Sequence, residues 1–207
     1  CIGSQESGKS TLISTIIAGL TQIGRERARL VVIDHRRSHL GAIAPDMLAG
    51  YSASTQETEK LVAAMKITLE GRMPSAEVTP QQLKDRSWWT GPDIFLIVDN
   101  LDLVADMAFT PLLSVLPHAR DVGLHVVITR KSGGCVRALF QPFLAEIKDQ
   151  SPFIIVLDAD KDDGPLFGVR LKPQPPGRGV MIHHGTQQGL IQIAAANMPD
   201  VAEAKAS

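Results

Sequence analysis

The sequence has almost no net charge, only two cysteines and no long apolar run, and each lack removes a class of protein. The formal charge is −1 at pH 7. A domain that grips duplex DNA by itself draws affinity from neutralised phosphates and carries a basic excess, so direct DNA binding is not expected. Cys1 and Cys135 show neither CxxC nor metal spacing and read as small residues in a reducing compartment. His35, His39, His183 and His184 likewise lack the spacing of a metal site. No stretch reaches the roughly 18 apolar residues that cross a bilayer, and no basic-then-apolar leader opens the sequence. The chain is therefore expected to be soluble, with any membrane anchor in neighbouring segments.

What is present is enough apolar material for a sizeable core: 44% of 207 residues are hydrophobic and 21% charged. Short β-branched runs alternate with helical patterns. Residues 29–34 (RLVVID), 94–99 (IFLIVD), 124–129 (LHVVIT) and 153–157 (FIIVL) read as buried strands. Residues 12–20, 54–72, 111–118 and 135–148 read as helices, the last delayed or kinked by Pro142. Residues 180–182 and 189–193 read as short strands around a Gly-containing turn. Cys1-Ile2 reads as the end of a strand that starts upstream. The expected fold is one α/β domain over residues 1–207, with a mostly parallel sheet covered by helices on both faces, and a frayed tail over about 195–207.

The chemistry is carried by Gly3-Ser4-Gln5-Glu6-Ser7-Gly8-Lys9-Ser10, a full GxxxxGK[ST] match that opens into a helix. Gly3 and Gly8 allow backbone conformations and close approach that a side chain would obstruct. Successive N–H groups then surround phosphate oxygens, helped by the positive end of the following helix. Lys9 sets a compact charge against the β- and γ-phosphates of ATP, Ser10 offers a hydroxyl to Mg²⁺, and Thr11 lies beside it as a secondary phosphate contact.

Three further positions complete the expected site. Asp99, at the C-terminal end of a buried strand, is placed to hold Mg²⁺ directly or through water. The next residue, where many P-loop ATPases carry an acid that activates water, is Asn100; an amide orients water but cannot take its proton at neutral pH. Asp102 is two residues too far along to substitute. Slow hydrolysis or none is therefore expected. Thr129 ends its strand with a polar side chain that reaches toward the γ-phosphate or the attacking water. Arg130 and Lys131 follow, either as cations that meet nucleotide in this or a neighbouring subunit or as a solvated basic loop. Trp88-Trp89 reads as a hydrophobic plug or a partner contact. Residues 158–163 (DADKDD) read as a solvated loop, and residues 173–179 (PQPPGRG) as a rigid turn before the last hairpin.

With these segments in order, the chain resembles the FtsK/SpoIIIE branch of RecA-like ATPases. The resemblance rests on GSQESGKST (3–11), IFLIVDN (94–100), HARDVGLHVVITRKSGG (118–134) and GRGVMI (177–182). Within the branch it is most similar to a C-terminal ATPase module of the EccC-type protein of type VII secretion, through DNLDLVA (99–105), ITRKSGG (128–134) and LKPQPPGRG (171–179). That resemblance implies several ATPase modules in series, a membrane-attached hexamer on the cytoplasmic face, and small helical-hairpin substrates recognised by a C-terminal signal. It also implies a nucleotide site that often departs from the catalytic pattern, as Asn100 does. A DNA-translocating member of the branch is the alternative, but Arg130-Lys131-Ser132 departs from the Gln-Arg-Pro that follows the sensor threonine in those motors.

Overall fold

A computed structural model of the chain describes residues 1–159, 164–170 and 174–195. Residues 160–163 of the acidic loop, 171–173 of the proline-rich turn and nearly all of the expected tail lie outside the described residues.

Four parallel strands form the centre: β1 (Ala28–Asp34), β2 (Leu48–Ser52), β3 (Asp93–Asp99) and β4 (Leu124–Ile128), in the order β2-β1-β3-β4. Each inner strand is apolar at nearly every position, because a parallel strand is covered on both sides. The alternation of side chains sorts them. Leu30, Val32 and Ile97 face helix α1 (Lys9–Ile23) and pack on Ile13, Ile17 and Leu20. Val31, Ile33, Leu96 and Val98 face the other way, onto Val62, Met65 and Leu69 of helix α2 (Thr55–Glu70). The same layer holds Phe109 stacked on Phe143, with ring centres 4.3 Å apart. The two-faced α/β sheet expected from the sequence is present.

Three short antiparallel strands follow: β5 (Ile154–Val156), β6 (Arg178–His183) and β7 (Thr186–Gln192). Ile2 joins the two sheets. It bridges in parallel to Arg130, just beyond β4, and to Val156 of β5. Its N–H donates to the Ile155 carbonyl (2.8 Å) and its own carbonyl accepts from Leu157 (2.8 Å), while Gly3 donates to Arg130 (3.2 Å). The P-loop thus springs from the seam between the sheets.

Several elements differ from the sequence reading. β2 was not expected; its LAGYS sequence is short and only partly buried. The connector before Pro92 contains a helix, α3 (Pro80–Asp85), closed by a capping box between Thr79 and Gln82. In place of a helix over 111–118, the region after β3 forms short 3₁₀ turns, Leu101–Leu103, Asp106–Leu112 and Leu116–His118. The helix expected over 135–148 is two, α4 (Cys135–Ala138) and α5 (Pro142–Asp149), because Pro142 cannot donate into a preceding turn and instead starts the second helix. The tryptophans are structural: Trp88 Nε1 donates to the Arg72 carbonyl (2.7 Å), Trp89 Nε1 to Asp121 (2.8 Å), and the Arg72 guanidinium lies 4.3 Å from the Trp89 ring centre.

Candidate nucleotide site

The loop over residues 3–8 reverses direction through left-handed backbone at Glu6 (φ 60°) and Gly8 (φ 105°), and Gly8 caps α1. Alternating handedness of this kind turns consecutive N–H groups into one concavity. The loop is tight: a Cβ on Gly3 would stand 2.3 Å from Ser7 Oγ, and one on Gly8 would stand 3.0 Å from the Gly177 backbone. Gln5, Glu6 and Thr11 are exposed, Ser4 and Ser10 are half-buried, and Ser7 and Lys9 are buried. Ser7 Oγ is buried with no hydrogen-bond partner, a polar atom left unmatched in the wall of the loop. Lys9 folds its Nζ back onto the carbonyls of Gly3 (3.0 Å) and Ser4 (2.5 Å). Burial pushes its pKa below the usual lysine range, although Asp102 and Asp99 pull it up. A buried cation that rests on neutral carbonyls lacks a full counter-charge.

β3 and β4 deliver the remaining expected residues to the mouth of α1. The Asp99 carboxylate is buried, and Oδ2 accepts from Ser10 Oγ (2.9 Å) while Oδ1 accepts from Thr129 Oγ1. Thr129 Oγ1 in turn accepts the Asn100 N–H at 2.8 Å. Burial favours the neutral carboxyl of Asp99, but hydrogen bonds from His39, Thr129 and Ser10 outweigh it and hold the group below the usual range. Asn100 has left-handed backbone (φ 58°) and is buried, a conformation asparagine tolerates better than most residues. Asp102 turns away: its Oδ1 accepts from the Lys131 N–H (3.0 Å) and its Oδ2 lies 3.9 Å from Lys131 Nζ. Arg130 reaches the Gly134 carbonyl (3.4 Å). The structure therefore brings Lys9, Ser10, Asp99, Asn100 and Thr129 together and leaves Arg130 and Lys131 on local partners.

Sequence reasoning missed three contributors. His39, excluded from a metal role by spacing, is buried with Nε2 3.1 Å from Asp99 Oδ2. Asp34, at the end of β1, is fully buried and accepts from the His39 N–H (2.8 Å) and the Tyr51 hydroxyl (2.9 Å) on Oδ2. Burial and that bond push the Tyr51 phenol well above its ordinary value. An acid closing a second parallel strand, followed at once by HRRSH, was the available signal. Third, the second sheet grips the loop. Gly177 N–H donates to the Ser7 carbonyl (2.7 Å), Ser4 Oγ to Asp158 Oδ2 (2.8 Å), and Thr15 Oγ1 to the Ala194 carbonyl (2.6 Å).

A glycine-bounded loop with a buried lysine at the start of a helix, beside a hydroxyl and a carboxylate at the end of a parallel strand, defines the class as a P-loop ATPase domain. No protein-family model matches the chain. It is 38% identical over 203 residues to the ESX-4 secretion system protein EccC4 of Mycobacterium tuberculosis, covering 96% of this chain and 16% of that protein. It is 41% identical over 197 residues to the ESX secretion system protein EccC of Thermomonospora curvata, covering 93% of this chain and 15% of that one. A solved structure of Thermomonospora curvata EccC ATPases 2 and 3, in complex with a signal sequence peptide, superposes with a TM-score of 0.86 at 39% identity, over 95% of this chain and 36% of that one. The chain belongs to the EccC-type ATPases of type VII secretion. It spans about a sixth of the length of those curated relatives. Membership implies nucleotide binding. Among the described residues, no helix is long and apolar enough to cross a membrane.

Proposed function

We propose that the chain is an ATP-binding module of a type VII protein-secretion ATPase that holds Mg·ATP and hydrolyses it slowly or not at all. The loop over Gly3, Ser4, Gln5, Glu6, Ser7, Gly8 and Lys9 wraps the phosphates, with Thr11 beside them. Lys9 exchanges its carbonyl partners for phosphate oxygens, and the unmatched Ser7 hydroxyl fits such a ligand. Ser10 and Asp99 are the Mg²⁺ ligands. The ion would neutralise phosphate charge and so reduce the repulsion that an attacking water meets.

The observation that carries the slow-turnover part is Asn100. It occupies the position after Asp99, and the nearest later acid, Asp102, is committed to Lys131. Thr129 fixes the Asp99 carboxylate and the Asn100 backbone and supplies no base. Among the described residues at the ends of β3 and β4, the carboxylates are Asp99 and Asp102, and each already accepts a structural hydrogen bond.

The family supports the rest of the reading. We infer that the module works in series with other ATPase modules of the same chain, in a membrane-anchored hexamer at the cytoplasmic face. There it helps recruit and drive small helical substrates through a C-terminal signal. The peptide in the Thermomonospora curvata complex motivates that inference. Single-turnover hydrolysis tests it: ATP bound tightly with turnover at or near background is expected. Rapid hydrolysis that Lys9→Ala abolishes would replace a binding module with a working motor.

A further inference from the structure

Asp34 and Asp99 are register partners on β1 and β3, so two buried carboxylates lie side by side at the end of the sheet. His39 stands between them. Its backbone N–H donates to Asp34 Oδ2 at 2.8 Å and its ring Nε2 approaches Asp99 Oδ2 at 3.1 Å. A carboxylate only accepts, so Nε2 is the donor. On the far side of the ring, Nδ1 lies 3.5 Å from Ser14 Oγ on α1. The ring is 2% exposed. Asp34, the anchor of this loop, is itself pinned by the Tyr51 hydroxyl from β2. The ring thus meets α1 and β3, while β1 and β2 hold its backbone through Asp34 and Tyr51.

We propose that His39 is a positioning residue: it holds Asp99 in the rotamer that ligates Mg²⁺ and so sets the magnesium affinity of the nucleotide site. Two donors meet at Asp99 Oδ2. One, Ser10, belongs to the proposed metal site; the other, His39, approaches from outside it. Metal-ligating carboxylates are oriented by such outer hydrogen bonds, and loss of one commonly costs on the order of tenfold in metal affinity. Without His39, Asp99 keeps Thr129 on Oδ1 and Ser10 on Oδ2 but loses one of the two donors that fix Oδ2. This inference rests on the Mg·ATP reading of the site.

The test measures nucleotide affinity across a magnesium titration in the intact chain, with and without chelator. His39→Met fills similar volume and offers no donor; His39→Gln keeps one. His39→Met is expected to need about tenfold more Mg²⁺ for half-maximal tightening, with Mg²⁺-free nucleotide affinity unchanged and His39→Gln close to the wild type. An unchanged magnesium midpoint in His39→Met overturns the proposal, as does a loss of Mg²⁺-free affinity that matches the loss with Mg²⁺, which marks a purely structural role. A failure of His39→Gln to restore the midpoint also overturns it. A second measurement needs no variant: nitrogen shifts of the wild-type ring should show a proton on Nε2, and a bare Nε2 refutes the hydrogen bond. If the wild type tightens on nucleotide with Mg²⁺ while His39→Met behaves identically, only this role fails. If the wild type binds no nucleotide, the underlying reading fails with it.

Discussion

Asp99 collects three donors on a side chain that burial alone would push toward its neutral form, and its pKa ends below the usual carboxylate range. The sign follows directly. A carboxylate more acidic in the folded state than in the unfolded chain contributes stability that is complete above its unfolded pKa and lost as pH falls through its folded one. Below about pH 4, the wild type should lose stability more steeply than Asp99→Asn, as read from chemical denaturation across pH; equal acid slopes would mean that the three bonds do not favour the charged form. Asn100 carries a separate constraint, because its left-handed backbone disfavours a longer side chain. Asn100→Glu is expected to raise single-turnover hydrolysis and, at the same time, to cost about 1–2 kcal/mol in stability. The chemical substitution and the backbone strain are therefore read in two assays on one protein.

The parallel strands were legible because β1 and β3 are covered on both faces and leave almost no polar position between their ends. β2 escaped notice: Ala49 and Gly50 give it neither bulk nor alternation, and what makes it a strand is its pairing with β1. The 135–148 region carried its own break in Pro142, expected to delay or kink one helix, and its place at the first turn of α5 makes it the start of a second. The P-loop, Asp99 and Thr129 could be found because each sits at a marked end of an element. Asp34 carried the same kind of mark at the end of β1, but His39 and Gly177 carried none, because their roles come from tertiary contacts that no local spacing encodes. A Cβ on Gly179 would fall 2.3 Å from the Val156 carbonyl oxygen and 2.7 Å from Leu157 Cα, backbone atoms that cannot swing aside. Gly179→Ala should cost about 1–3 kcal/mol and loosen the turn whose Gly177 holds Ser7. Thermal melting reads the first effect and nucleotide affinity the second. A variant as stable as the wild type would show that the strands separate without loss.

At the scale of the whole molecule, the nucleotide site lies at a joint. Ile2 pairs with the edges of both sheets, and the loop that follows is held from the second sheet at Ser4, Ser7 and, beyond it, Thr15. A ligand filling that loop should therefore stabilise the two sheets as one body. Calorimetric titration of Mg·ATP into the wild type and into Lys9→Ala, each followed by a thermal melt at a hundredfold excess over the wild-type Kd, tests this most directly. The account predicts saturable one-site binding by the wild type, stabilised by about 2.7 kcal/mol at that excess, and both signals lost or strongly reduced in Lys9→Ala. Equal binding by the two proteins, or no heat and no shift in the wild type, would contradict it.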